Sequence, residues 1–202
     1  MLVTDLMHRY AAVIVAGGRA SRMSCEPKPL LEVGGRSILR RVLDAVSCAR
    51  PRIVVGDVAA SNDYLRTRED PDGSGPAYAA AAGLELVPAS VPLIAVLAAD
   101  LPFLDEAAVA TLARALDDGE PDGAVLVDDS GRRQWLCGLW RGTALRPVLT
   151  GVAPGSGMRH TLGDLKIAEV FIPGRVAPPW FDCDTPQALA EARRLAAERD
   201  DA

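Results

Sequence analysis

The chain has few of the side chains from which redox and metal centres are commonly built. Its 202 residues include two histidines and four cysteines, and the cysteines are widely separated in the sequence. This spacing provides neither a structural zinc motif nor a C-x-x-C redox pair. Reduced thiols are typical of the cytosol, so the composition predicts a cytoplasmic protein with no zinc or disulfide framework.

Long hydrophobic runs are absent as well. No apolar stretch approaches the length of a membrane span, and Asp5, His8 and Arg9 lie where a signal peptide would have its apolar core. The arginines are dispersed along the chain, and the formal net charge is −5. These properties argue against nonspecific binding to nucleic acid or to an anionic membrane, and we expect neither as a partner.

Segments of strand and helix character alternate along most of the chain. Short apolar runs predict strands at about 11–16, 52–57, 91–99, 123–127, 134–141 and 167–172. Helical spacing and caps predict helices at 38–50, 76–86, 106–116 and 186–198, and residues 66–75 read as a polar loop. The alternation predicts an α/β, Rossmann-like three-layer fold with a mostly parallel (mixed) central sheet and helices on both faces. We expect a flexible lead-in over residues 1–10 and a single domain over 11–202.

The stretch Ala12–Leu31, AVIVAGGRASRMSCEPKPLL, is the strongest indication of a binding site. A short apolar strand is followed by Gly17-Gly18 and then by the cations Arg19, Arg22 and Lys28. Paired glycines let backbone N–H groups approach an anion, and the cations add the positive charge that a phosphate needs. The stretch therefore predicts a phosphate-binding loop after the first parallel strand, with an ordinary tight turn as the alternative. It contains neither a Walker A motif nor a G-x-G-x-x-G fingerprint.

The same segment carries a family resemblance. Val15–Met23, with Lys28 six residues after Arg22, resembles the signature of the nucleotidyltransferases that build the molybdenum cofactor, roughly LAGGxSxRMGxDK. Three further segments resemble that family in the same order over nearly the whole chain. They are Asp70 with Gly75-Pro76, Asp100-Leu101-Pro102-Phe103, and Phe181-Asp182-Cys183-Asp184-Thr185-Pro186.

The chain departs from the family pattern at four places. Ser24 stands where the family usually has Gly, and Pro27 stands where Asp usually precedes the lysine. Gly56 ends the second strand, where some members place an Asn near the base, and Asp182 and Asp184 replace two Asn residues. Pro27 fixes one φ angle of the loop, and the two aspartates add negative charge near the substrate.

The resemblance implies a Mg²⁺-dependent guanylyltransferase that joins GMP from GTP to molybdopterin phosphate and releases pyrophosphate. Three catalytic residues follow from it: Arg22 would neutralise the β- and γ-phosphates, Lys28 the phosphates near the α position, and Asp100 would bind Mg²⁺. Magnesium uses few carboxylates and keeps several waters. Either Asp182 or Asp184 would complete the metal shell, or Asp184 would instead cap the last helix.

The resemblance also implies a nucleotide-binding set, which is Val15, Ala16, Gly17, Gly18, Arg19, Arg22, Lys28, Asp70, Gly75 and Asp100. For the acceptor, side-chain chemistry is the guide: arginines suit the phosphate and a tryptophan suits the pterin ring. The acceptor-side set is therefore Arg141, Arg159 and Trp180, with Asp182 near the expected substrate end. In the family an A-G-G loop accompanies guanine nucleotides, and Ala16-Gly17-Gly18 matches that type. Asp70 would contact the base or ribose, or would simply begin the turn at Pro71.

Two other functions remain open at this level, and a third is disfavoured. One is a related enzyme that uses CTP or a sugar phosphate, although the G-x-G-T-R segment of the sugar-nucleotide branch is absent. Another is a nucleotide-binding protein that has lost catalysis, for which Ser24 and Pro27 give grounds. The third is a dehydrogenase, whose glycine fingerprint is absent from this sequence. For the guanylyltransferase, transient contact with other molybdenum-cofactor pathway proteins is also expected.

Overall fold

A mixed sheet forms the centre of the structure, a computed structural model that describes residues 10–17, 22–23, 26–59, 61–117 and 119–200. Within those residues the sheet has seven strands, ordered β11-β9-β10-β8-β1-β6-β7. Its strands are β1 (Tyr10–Val15), β6 (Arg52–Val55), β7 (Leu65–Thr67), β8 (Leu93–Ala98), β9 (Gly123–Val127), β10 (Arg133–Arg141) and β11 (Ile167–Val170). Two short hairpins lie outside it: β2 (Arg22–Met23) with β3 (Glu26–Pro27), and β4 (Glu32–Val33) with β5 (Arg36–Ser37).

Most strand pairs of the central sheet are parallel. β1 pairs in parallel with both β6 and β8, β6 pairs in parallel with β7, and β11 pairs in parallel with β9. β10 runs antiparallel to its neighbours β8 and β9. Every residue of β1 is buried, as expected for a strand that is covered on both faces. The predicted mostly parallel sheet is confirmed.

The described part of the chain contains six helices: α1 (Ile38–Ala45), α2 (Pro76–Leu84), α3 (Glu106–Arg114), α4 (Gly142–Leu149), α5 (Met158–Leu162) and α6 (Pro186–Asp200), with a 3-10 turn at Lys28–Leu30. Three of them, α1, α3 and α6, begin at a side-chain cap. The Ser37 hydroxyl accepts the Arg40 N–H at 3.3 Å, and an Asp105 carboxylate oxygen accepts the Ala108 N–H at 2.8 Å. None of the described helices is long and apolar enough to cross a membrane.

The helices cover both faces of the sheet, because side chains of successive strand residues point to opposite sides. Ala12 and Ile14 of β1 pack in one apolar cluster with residues of α1 and α3. Val13 and Val15 pack in a second cluster with residues of α2, α4 and α5. A third cluster joins α6 to β4 and Phe103. The three-layer arrangement expected from the alternating sequence is therefore confirmed.

Three of the predicted boundaries need correction. The first predicted helix ends at Ala45 rather than near Pro51, and the last strand ends at Val170 rather than Ile172. The predicted loop 66–75 begins inside strand β7, Leu65–Thr67. That strand lies at the edge of the sheet and none of its residues is buried, so its sequence carries no apolar pattern.

The topology brings several loops to one edge of the sheet. β1 lies between β6 and β8 in the sheet. The chain therefore adds β6 on one side of β1 first, and it adds β8 on the other side later. Open α/β sheets bind ligands at such a switch point, beyond the carboxyl ends of the strands. Gly17, Gly56, Glu69 and Asp100 all lie in loops that follow these parallel strands. The antiparallel β10 begins at the same edge, since its Cys137 pairs with Leu97 near the end of β8.

Candidate functional site

A cluster of charged side chains lies at this edge. Lys28 Nζ lies 2.7 Å from Asp184 Oδ1, although the two residues are 156 positions apart in the sequence. Lys28 is 5 % exposed, whereas the Asp184 side chain is largely open to solvent. The backbone N–H of Cys183 donates to the carbonyl of Asp100 at 3.1 Å. These contacts join the 3-10 turn, the loop after β8 and the loop before α6 in one place.

The carboxylates of this cluster repel one another. Burial, followed by the charge of Asp184, raises the pKa of Asp100 from 3.8 to about 6, while Lys28 acts in the opposite direction. Burial and Asp184 also raise the pKa of Asp182, which Lys28 and Arg132 lower. Three carboxylates thus face one lysine among the described side chains. Such a site gains free energy from an added cation.

The carboxylates of the cluster suit a magnesium ion whose remaining ligands are waters and substrate phosphates. Among the described residues, no three His, Cys, Asp or Glu side chains are grouped closely enough to form a metal site. Magnesium is commonly held by one or two carboxylates together with waters and substrate phosphates. Asp100 with Asp182 or Asp184 meets that requirement. The alternative role of Asp184 as a helix cap is not observed, because the Thr185 hydroxyl accepts the Ala188 N–H at 3.1 Å.

A pocket of about 300 Å³ adjoins the cluster and shares Asp100 with it. The pocket is lined by Val15, Gly17, Glu69, Gly73, Gly75, Pro76, Ala79, Ala98, Asp100 and Leu136. Four residues of the predicted nucleotide-binding set are therefore brought together: Val15, Gly17, Gly75 and Asp100. Ala16 lies beside them at the end of β1, where its N–H donates to the carbonyl of Val55 at 2.7 Å.

The glycines at this edge allow a close approach of backbone and side chains. A Cβ atom added to Gly17 would lie 3.0 Å from Oε1 of Glu69. Gly56 has a φ of +144°, and a Cβ there would lie 2.9 Å from the backbone of Ala16. The glycine at position 56, a departure from the family pattern, is thus required by the packing of one loop against the other.

Glu69 is a site residue that the sequence did not reveal. Its side chain is 4 % exposed and lines the pocket, and its Oε2 has no hydrogen-bond partner among the described residues. The neighbouring Asp70, which the sequence favoured, is exposed and borders a separate cavity with Arg68 and Tyr78. Adjacent residues of an extended segment point to opposite sides, so the acid before Asp70 is the one that faces the pocket.

A third cavity, of about 530 Å³, contains three arginines. It is lined by Gly131, Arg132, Arg133, Trp135, Arg159 and Glu169. Arg133 is paired with Glu169 at 2.7 Å and lies over the ring of Trp135, 5.6 Å from its centroid. Arg132 is close enough to Asp182 to lower the pKa of that carboxyl. The cavity thus contains Arg159, an acceptor-side prediction, and its Arg132 acts electrostatically on Asp182 of the charged cluster.

The other acceptor-side predictions are placed differently. Asp182 belongs to the charged cluster, and Trp180 is partly buried against the core. Arg141 pairs with Leu93 at the beginning of β8, the end opposite to Asp100. Its guanidinium donates to the backbone carbonyls of Pro121 and Leu116. The acceptor-side prediction for Arg141 is therefore corrected. This arginine binds the loop between α3 and β9, at the end of the sheet opposite to Asp100.

The remaining predictions concern the first loop. Gly18, Arg19 and Ser24 lie outside the described residues, and so do the side chains of Arg22 and Pro27. The phosphate-binding role of Arg22 and the backbone contacts of Gly18 and Arg19 accordingly stay predictions.

Residues 12–169 match the family model of the MobA-like NTP transferase domain. The chain is 35% identical over 203 residues to a molybdenum cofactor guanylyltransferase of Rhodopseudomonas palustris, with 94% of each chain covered. It is 33% identical to a protein of the same description from a Bradyrhizobium species, with 93% of each chain covered.

Solved structures share the fold at lower sequence identity. The molybdopterin-guanine dinucleotide biosynthesis protein A of Archaeoglobus fulgidus superposes with a TM-score of 0.70 at 16% identity, over 94% of this chain and 99% of the other. A 4-diphosphocytidyl-2C-methyl-D-erythritol synthase of Anaerococcus prevotii superposes with a TM-score of 0.68 at 15% identity, over 96% and 98%. The fold alone is therefore shared by proteins with different substrates.

Proposed function

The chain belongs to the family of MobA-like NTP transferase domains, which makes it a nucleotidyltransferase, and on this premise we propose that it transfers GMP from GTP to molybdopterin phosphate with release of pyrophosphate. The observation that carries the proposal is the junction of the charged cluster and the pocket at Asp100. The pocket of about 300 Å³ would take the nucleoside, and the buried Lys28 of the adjoining cluster would take the phosphates.

The reaction joins two anionic groups, so the site must reduce their repulsion and align them. The acceptor phosphate attacks the α-phosphorus in line with the leaving pyrophosphate. Lys28 is positioned by Asp184 and would stabilise negative charge near the α-phosphate, and Arg22 would neutralise the leaving pyrophosphate. A Mg²⁺ ion held by Asp100 with Asp182 or Asp184 would supply further positive charge there.

The cavity of the three arginines is the proposed site of the acceptor. Molybdopterin carries a phosphate and a flat heterocycle, which suit guanidinium groups and an indole ring respectively. Arg132 and Arg159 would bind the phosphate, and Trp135, already paired with Arg133, would pack against the ring. The proximity of Arg132 to Asp182 supports this position for the acceptor.

A pyrophosphate-release assay tests the proposal. We expect release with GTP, Mg²⁺ and molybdopterin together, and at least tenfold less when CTP or UTP replaces GTP or when the acceptor is left out. The same assay in excess chelator tests the requirement for Mg²⁺. Efficient release with CTP would indicate a cytidylyltransferase, and binding of GTP without any release would indicate a protein that has lost catalysis.

A further inference from the structure

We propose that the carboxylate of Glu69 recognises the guanine base by accepting hydrogen bonds from its N1–H and its 2-amino group. This inference rests on the proposed function and names the residue that would make the pocket selective. Glu69 is not in the phosphate-binding loop, and its neighbour Asp70, which the family pattern favours, faces another cavity.

The state of Glu69 in the free protein indicates that a ligand completes its hydrogen bonds. The side chain is 4 % exposed, and Oε2 has no partner among the described residues. An unsatisfied buried carboxylate oxygen is costly, and native proteins seldom retain one without a reason. Because Glu69 lines the pocket, a bound molecule with hydrogen-bond donors can reach it.

The other residues that line the pocket indicate which part of a nucleotide would contact Glu69. The charged groups among the described lining residues are Glu69 and Asp100, both acidic, so the end of the pocket at Glu69 repels phosphate. Val15, Ala79 and Leu136 give apolar walls that suit a flat ring. The triphosphate would instead extend towards Lys28, on the other side of Asp100.

The chemistry of the bases favours guanine. A carboxylate has two acceptor oxygens and no donor, so it binds best to two donors that lie side by side. Guanine presents N1–H next to its 2-amino group. In adenine and cytosine the amino group lies next to a ring-nitrogen acceptor, and in uracil N3–H lies between two carbonyl oxygens. A carboxylate at this position therefore selects guanine and repels the acceptor atoms of the other bases.

Gly17 keeps the carboxylate accessible. A Cβ at this position would lie 3.0 Å from Oε1 of Glu69, and both residues line the pocket. The absence of that atom leaves Glu69 free to meet the edge of a purine. The glycine loop and the buried glutamate thus act together as one recognition element.

The test uses Glu69→Gln, which preserves shape, with Glu120→Gln at an exposed position as the matched control. Affinities for GTP, inosine triphosphate, 2′-deoxyGTP and CTP are measured by calorimetry on the full chain, and thermal unfolding verifies that both variants fold. Inosine keeps N1–H and lacks the 2-amino group. We expect the wild-type chain and Glu120→Gln to bind GTP at least tenfold more tightly than inosine triphosphate. We expect Glu69→Gln to lose about 10- to 100-fold in GTP affinity and to bind the two purines nearly equally.

Each other outcome overturns a distinct claim. If Glu69→Gln retains the wild-type preference for GTP over inosine triphosphate, Glu69 does not contact the base. If the variant instead erases a preference for GTP over 2′-deoxyGTP, the carboxylate contacts the ribose. Both results leave the guanylyltransferase proposal intact. A wild-type chain that binds no triphosphate, or that binds CTP best, would overturn the proposed function and this inference together.

Discussion

Asp100 is destabilising in the free protein, and this cost is a consequence of its place in the site. Burial and the nearby charge of Asp184 penalise its ionised form in the folded state. A group whose pKa is higher in the folded than in the unfolded protein lowers stability above its folded pKa, and the effect disappears below its unfolded pKa. Folding therefore gives no reason for the Asp100 carboxylate, and this agrees with the metal-binding role proposed for it.

We predict that Asp100→Asn stabilises the protein and abolishes turnover. With a folded pKa of about 6 against an ordinary 3.8, the gain at pH 8 is roughly 1–3 kcal/mol. This gain in stability should disappear as the pH decreases through 6 towards 4. Denaturant unfolding in the presence of a chelator, at several pH values, measures it. A variant that is less stable than the wild type at pH 8 would show that the Asp100 carboxylate is satisfied within the protein.

Glu69 could not be identified as a pocket residue from the sequence alone. Glu69 and Asp70 are adjacent acids before the same turn, and the family pattern favoured the second. Which of them faces the pocket depends on the direction of one residue in an extended segment, and this direction follows from strand β7. Since that strand is exposed and has no apolar alternation, its register could not be read from the sequence.

At the scale of elements, α2 lies unusually close to the sheet. Gly83 in this helix is a weak helix former by propensity, and the structure supplies the reason for it. A Cβ at Gly83 would lie 2.5 Å from Cγ1 of Val13 and 2.7 Å from Cγ2 of Val55. The glycine lets α2 pack against β1 and β6, and this packing positions Gly75 at the start of the helix beside the pocket.

We predict that Gly83→Ala destabilises the protein by about 1–3 kcal/mol, although alanine is the better helix former. The added methyl group overlaps two β-branched side chains that have little freedom to move. Gly157→Ala is the control, because nothing lies within 4 Å of its Cβ position. Gly157 is the N-cap of α5, where glycine is preferred to alanine, so this variant should lose only roughly 0.5 kcal/mol. Equal unfolding midpoints for the two variants in urea would contradict this account of the packing.

The apolar patterns were the most informative part of the sequence at this scale. The buried strands β1 and β8 and the capped helices α3 and α6 were expected at nearly their observed positions. Their signals are local, because burial on both faces and N-terminal caps depend on neighbouring residues. Strand β7 depends instead on pairing with β6, which no local pattern encodes.

At the scale of the whole molecule, the site is assembled from distant parts of the chain. Lys28 near one end contacts Asp184 near the other, and Asp100 lies between them in sequence. The family resemblance predicted that these residues would share a site, whereas spacing alone could not. The prediction for Arg141, which rested on side-chain chemistry alone, was wrong because antiparallel β10 places Arg141 at the end of the sheet opposite to Asp100.

The central claim is that Lys28 and the loops around Asp100 form one triphosphate-binding site. The chain contains two lysines, so Lys166→Ala, at an exposed position, is a natural control for Lys28→Ala. Calorimetric titration with GTP and Mg²⁺ is the most direct measurement. The account predicts that Lys28→Ala weakens GTP binding by about 10- to 100-fold, because a charge-assisted contact to phosphate is lost, while Lys166→Ala binds as the wild type does. Equal affinity of all three proteins for GTP would contradict it.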